Sequence, residues 1–173
     1  MATRRTTEPT PTQKRGPPQR TLRHRALSLL TRREYSRREL AQRLAPHAQS
    51  EAELDTLLKD LEQRKYLSDD RYADARAGVL GRKFGTARIE YELQSKGVPA
   101  ATIARVAIGT RASELERARD TWQRRFGKAP ADALERARQM RFLQGRGFSF
   151  ETIRLVIGRA GVADCESGET GEE

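Results

Sequence analysis

Residues 93–107 and 143–157 carry one pattern twice. Leu93, Gln94, Gly97, Thr102, Ile103 and Val106 recur as Leu143, Gln144, Gly147, Thr152, Ile153 and Val156, and Lys96 is matched by Arg146. A fixed offset of fifty residues is the signature of a supersecondary unit used more than once. Such an array offers a surface, so the question becomes what the chain binds rather than what it turns over.

The local signals are helical almost throughout, and no β alternation stands out. Ser36 to Glu39, Ser50 to Glu53, Ser113 to Glu116 and Asp132 to Glu135 read as capping boxes, in which the first side chain accepts an orphan backbone N–H. Ser68 followed by Asp69 and Asp70 reads as a further helix start, with acids on the positive end of the dipole. Pro99 suits a first turn, and Gly97, Gly147 and Gly161 suit C-caps. These marks predict nine helices over 21–33, 37–45, 51–64, 69–83, 86–96, 99–109, 112–125, 132–145 and 149–160. They fall into three groups, each with an aromatic and a small residue at its first reversal: Tyr35-Ser36, Phe84-Gly85 and Phe126-Gly127. Leu40 and Leu44 align with Ile89 and Leu93 as i,i+4 pairs. The third group has a longer connection, Lys128 to Ala131.

The expected architecture is all-α: an elongated array of three tandem three-helix repeats over 21–66, 67–110 and 111–161. A Pro/Thr/Arg arm (1–20) read as disordered precedes it, and an acidic tail (162–173) read as flexible follows. Hydrophobic residues make up 36% and charged residues 34% of the chain, lean for a sphere and suited to such an array. Leu54, Leu57, Leu58 and Leu61, then Ile103, Val106 and Ala107, then Ile153, Val156 and Ile157 are read as core stripes. Leu115, Ala118, Trp122 and Phe126 form a fourth, with Trp122 as a core plug.

No apolar run approaches the roughly 20 residues of a membrane span, and no secretory signal is visible. Cys165 is the only cysteine, which points to a reducing cytoplasm and leaves no structural zinc site. Capping explains Asp69 and Asp70 more economically than metal binding. No phosphate loop, zinc-protease motif or nucleophile–base pair occurs, so a non-enzyme without a cofactor is expected. Nothing signals a dimer interface.

The formal net charge is +10, with +6 on residues 1–25, −5 on 164–173 and +9 between. A basic body points to a polyanion, either nucleic acid or an acidic protein face. The candidate contacts are Arg82, Lys83, Arg88 and Lys96 in the second group and Arg124, Arg125, Arg136, Arg138, Arg141 and Arg146 in the third. Lys96, Arg146, Arg124 and Arg125 also suit helix C-termini electrostatically. The run 136–141 holds too many cations for capping alone.

Ala26-Leu-Ser-Leu-Leu30, Arg33, Tyr35-Ser36, Glu39-Leu40, Tyr66-Leu-Ser-Asp69, Tyr72-Ala73, Lys83-Phe-Gly85, Arg88-Ile89, Leu93, Lys96-Gly97-Val98 and Gly147-Phe148-Ser149 together resemble the RecX regulatory proteins of bacteria, over about residues 22–160 and in order. The resemblance implies a curved helical rod in the cytoplasm that lies along the RecA–DNA filament and modulates, usually inhibits, the RecA recombinase. Several members of that family also bind DNA. A nucleic-acid-binding protein without a recombinase partner is the alternative, and a sequence-specific helix-turn-helix repressor a third. The arm, the tail and Ala45-Pro46-His47 depart from the family pattern.

Overall fold

The computed structural model describes residues 21–166, with side chains through residue 158. Among them are nine α-helices and no strand: α1 (Leu22–Leu30), α2 (Arg37–Leu44), α3 (Glu51–Gln63), α4 (Asp69–Gly81), α5 (Thr86–Ser95), α6 (Ala100–Ala112), α7 (Glu114–Arg125), α8 (Ala133–Gly145) and α9 (Phe150–Glu166). A 3-10 turn, Ala45–His47, follows α2, with Pro46 in its first turn. The expected arm, and the tail from residue 167 on, lie outside the described residues.

Most starts follow the capping logic. The side chains of Ser36, Ser50, Ser68 and Asp132 accept from the N–H groups of Glu39, Glu53, Arg71 and Glu135. Several details differ from the sequence reading, among them α1, which ends at Leu30 rather than at residue 33. Ser113 makes no capping bond; its Oγ turns back to the Thr110 carbonyl. Pro99 is the N-cap of α6 rather than its first helical residue. That helix runs three residues beyond its expected end, to Ala112. Gly161 lies within α9, which continues to Glu166, so it ends nothing and the first residues of the expected tail are helical. Gly97 and Gly147 do take positive φ, 72° and 80°, after α5 and α8. Each lets the next residue's N–H reach back into its helix: Val98 to Leu93 and Phe148 to Leu143. Lys65 does the same work after α3 at φ 61° without the freedom of a glycine.

The buried side chains separate into three clusters, one per group. The first holds Tyr35, Leu40, Leu44, Leu54, Leu58 and Leu61; Leu57 is only partly covered. The second gathers Tyr72, Ile89, Leu93, Val98 and Val106, with Ile103 at its edge. The third is built on Trp122, Leu143, Phe148, Ile153, Val156 and Ile157. Each buried leucine or isoleucine contributes about 1.5–3 kcal/mol. Trp122 is a core plug, and its Nε1–H donates to the fully buried Gln139 at 2.7 Å. Of the three turn aromatics only Tyr35 is buried. Phe126 is half-buried edge-on to Phe142, at 5.1 Å, and Phe84 lies half-buried at the edge of its repeat.

Candidate functional site

The repeats meet at two junctions built on one rule. Each begins with an acid at the first position of the incoming repeat's first helix. Asp69, at the start of α4, accepts the N–H of Arg37 at the start of α2 (2.8 Å). Glu114, at the start of α7, accepts the N–H of Thr86 at the start of α5 (2.8 Å). In both cases a carboxylate from one repeat satisfies an orphan amide of the preceding one and sits at the positive ends of two helices. The second part of the rule is the repeated glycine. Ser36 Oγ donates to the Lys96 carbonyl (2.8 Å), and the Gly85 N–H donates to the Arg146 carbonyl (2.9 Å). Lys96 and Arg146 are the residues just before Gly97 and Gly147. A Cβ on Gly97 would lie 2.7 Å from Arg38, and one on Gly147 would lie 2.7 Å from Arg88. The fifty-residue motif therefore ends a helix and seats the previous repeat at once.

Glu114 is the most heavily used of these groups. It is 5% exposed, and it also accepts from the Ser149 N–H and the Thr152 hydroxyl at the start of α9. Burial pushes its carboxyl up, but the bonds from Thr86, Ser149 and Thr152 outweigh that and hold it below the usual carboxylate range. Asp69 is half-buried, and burial pushes its carboxyl up against the single bond from Arg37. Arg117 completes the second junction. It donates to the carbonyls of Phe84 (2.7 Å) and Thr110 (2.6 Å), at the ends of two helices. Burial pulls its guanidinium down from its usual range against the opposing charge of Glu114, and it forms no salt bridge among the described residues.

The ten candidate cations share one property. None lies within ion-pair distance of a carboxylate among the described residues. The pairs that do form among the described residues, such as Arg37 with Asp55 and Glu62 or Arg105 with Asp70 and Asp74, all lie before residue 112. Arg82, Lys83, Arg88, Arg124, Arg125, Arg136, Arg138 and Arg141 are exposed. Lys96 and Arg146 are half-buried. Arg146 is a packing residue, its guanidinium 4.4 Å from the centre of the Phe142 ring and 6.0 Å from that of Phe84. Arg88 lies over Tyr91 and Arg125 over Phe126, while Arg124 donates to the Arg82 carbonyl (3.2 Å).

The cluster 136–141 does not form one patch. At 3.6 residues per turn, Arg138 and Arg141 share the outer side of α8, while Arg136 points roughly 140–160° away. The fifty-residue offset places Arg138 where the second repeat has Arg88, and Arg141 where it has Tyr91. The structure thus yields equivalent positions on α5 and α8 rather than a single basic strip. The residues that sequence reasoning passed over are Glu114 and Arg117. The sequence marks Ser113 and Glu116 as a cap, whereas Glu114 and Arg117 act on chain segments roughly thirty residues away.

Residues 112–157 match the model of the third three-helix domain of RecX, and residues 68–106 that of the second. The regulatory protein RecX of Leptothrix cholodnii is 50% identical over 140 residues, covering 81% of this chain and 89% of that protein. The chain belongs to the RecX family. The regulatory protein RecX of Chromobacterium violaceum is 46% identical over 145 residues, covering 84% and 93%. Two solved RecX structures share the fold. One, from Lactobacillus salivarius, has TM-score 0.69 at 19% identity over 82% of this chain and 95% of that one. The other has TM-score 0.65 at 19% identity over 78% and 72%. The all-helical tandem array and the regulatory character of the RecX family thus hold for this chain. No helix among the described residues is long and apolar enough to cross a membrane.

Proposed function

We propose that this chain regulates the RecA recombinase in DNA repair and recombination, acting in the cytoplasm as a monomer and without catalysis of its own. It binds the RecA–DNA filament, lies along it, and holds down its ATP hydrolysis, growth and strand exchange. The observation that carries this reading is the common rule of the two junctions. Repeats joined by one rule present equivalent faces in succession, which suits a partner that is itself a repeating polymer. Rigid linkage then makes each further contact intramolecular and raises avidity without new chemistry. The cations of the second and third repeats that have no carboxylate partner among the described residues support contact with an anionic surface.

The test is RecA-dependent ATP hydrolysis and strand exchange with purified chain added below stoichiometry. Both rates should fall. Unchanged rates at equimolar protein overturn the reading. Combined Arg138→Glu and Arg141→Glu should weaken the effect about tenfold or more, because reversed charges meet the same surface.

A further inference from the structure

A groove of ≈ 480 Å³ runs between the C-terminal halves of α4 and α6 and the outer face of α7. Arg82, Arg117 and Arg124 line it against one carboxylate, Asp120. None of the three guanidinium groups is paired with a carboxylate among the described residues. Arg117 and Arg124 donate instead to main-chain carbonyls, at Phe84, Thr110, Asp120 and Arg82. Carbonyl partners fix the direction of a guanidinium without neutralising it, so the groove keeps a positive field.

Two helix glycines form part of its floor. Gly78 and Gly109 lie inside helices at ordinary φ, and a Cβ added to either would meet nothing within 4 Å. Glycine weakens a helix interior, and neither residue is required by the chain's own packing. What they leave is room for another main chain to come close. Val79 and Ile108, their neighbours in sequence, are 62% and 73% exposed. No aromatic ring lines the groove, so a nucleic-acid base finds nothing there to stack on.

We infer that this groove takes an extended acidic peptide segment of a partner protein, its backbone on the glycine floor and its carboxylates facing Arg82, Arg117 and Arg124. The inference concerns the second and third repeats only and does not require that the partner be the recombinase.

The experiment uses the full chain and a fluorescein-labelled peptide of alternating Asp and Gly, with an Asn/Gly peptide and a short oligothymidylate as comparisons, read by anisotropy. The acidic peptide should bind and the Asn/Gly peptide should not. Two variants test the site: Gly78→Leu with Gly109→Leu, which fills the floor, and Arg82→Gln with Arg124→Gln, which removes charge. Each should weaken peptide binding about tenfold or more, with far-UV circular dichroism unchanged and the thermal midpoint of the glycine variant no lower. Equal binding by the variants overturns the proposal. So does an absence of peptide binding, whether or not the oligonucleotide binds through the same residues. A full chain that takes up peptide only after residues 164–173 are removed also overturns it, in favour of the chain's own acidic end.

Discussion

The two junctions obey one rule with different tolerances. Between the first and second repeats the contact is made by a side chain, Ser36 Oγ on the Lys96 carbonyl, and by one bond to a half-buried Asp69. An ion pair of partly exposed groups, Arg71 with Glu34, adds little. Between the second and third, main chain meets main chain: a Cβ on Gly85 would lie 2.1 Å from the Gly147 carbonyl oxygen. The carboxylate there is buried and takes bonds from two other helix starts. The first junction can adjust by rotating a side chain. The second has no such freedom, so it fixes the relative setting of its two repeats more firmly.

The harshest way to break this contrast is Gly85→Ala. The new methyl has only backbone to displace, and the loss should be about 3 kcal/mol or more in urea unfolding. Ser36→Ala removes a cap and a junction bond but leaves no clash, and should lose about 1 kcal/mol in the same assay. A near-equal effect of the two would erase the distinction drawn here.

Acid sharpens it next. The Glu114 carboxyl sits below its ordinary value in the folded protein, so its stabilisation is full above that ordinary value, 4.5, and is lost as pH falls through the lower folded value. Asp69 has the opposite sign. Its folded carboxyl is raised above 3.8, so its contribution is most favourable below 3.8 and is lost as pH rises through the folded value. Glu114→Gln should therefore cost about 2 kcal/mol at neutral pH and flatten the acid limb of the stability profile. Asp69→Asn should cost less at neutral pH and make the acid limb steeper. Thermal midpoints between pH 3 and 7 measure both.

The smallest effect belongs to the first repeat alone. Lys65 holds a left-handed conformation that Gly97 and Gly147 reach without strain. Lys65→Gly should add only about 0.5 kcal/mol, because relieved strain is partly offset by the glycine's extra freedom in the unfolded chain, seen as a small rise in the urea midpoint.

Much of this was legible in the chain. The glycine ladder, the serine and aspartate caps and the leucine stripes act over a few residues, so the helices and their grouping could be read from local pattern. Glu114 could not. Nothing near it separates a first-turn acid from a clamp on two other helices, because its partners, Thr86 and Ser149, arrive only when the repeats pack. The same limit applies to Arg136, Arg138 and Arg141, whose directions around α8 differ although they lie close in sequence. Neighbours in sequence are not neighbours around a helix. Gly161 failed for a related reason: a glycine ends a helix only where the chain must turn.

Each hydrophobic cluster stays within its own repeat, apart from Leu67 at the start of the second, which packs into the first, so no side chain in the first depends on packing in the third. A fourth block spliced in after residue 112, supplied with a leading acid and the helix-ending glycine, would meet the same seat as its neighbours. The reach of such a protein can thus grow or shrink by whole blocks without redesigning its interior, as the span of a bridge changes with the number of its arches.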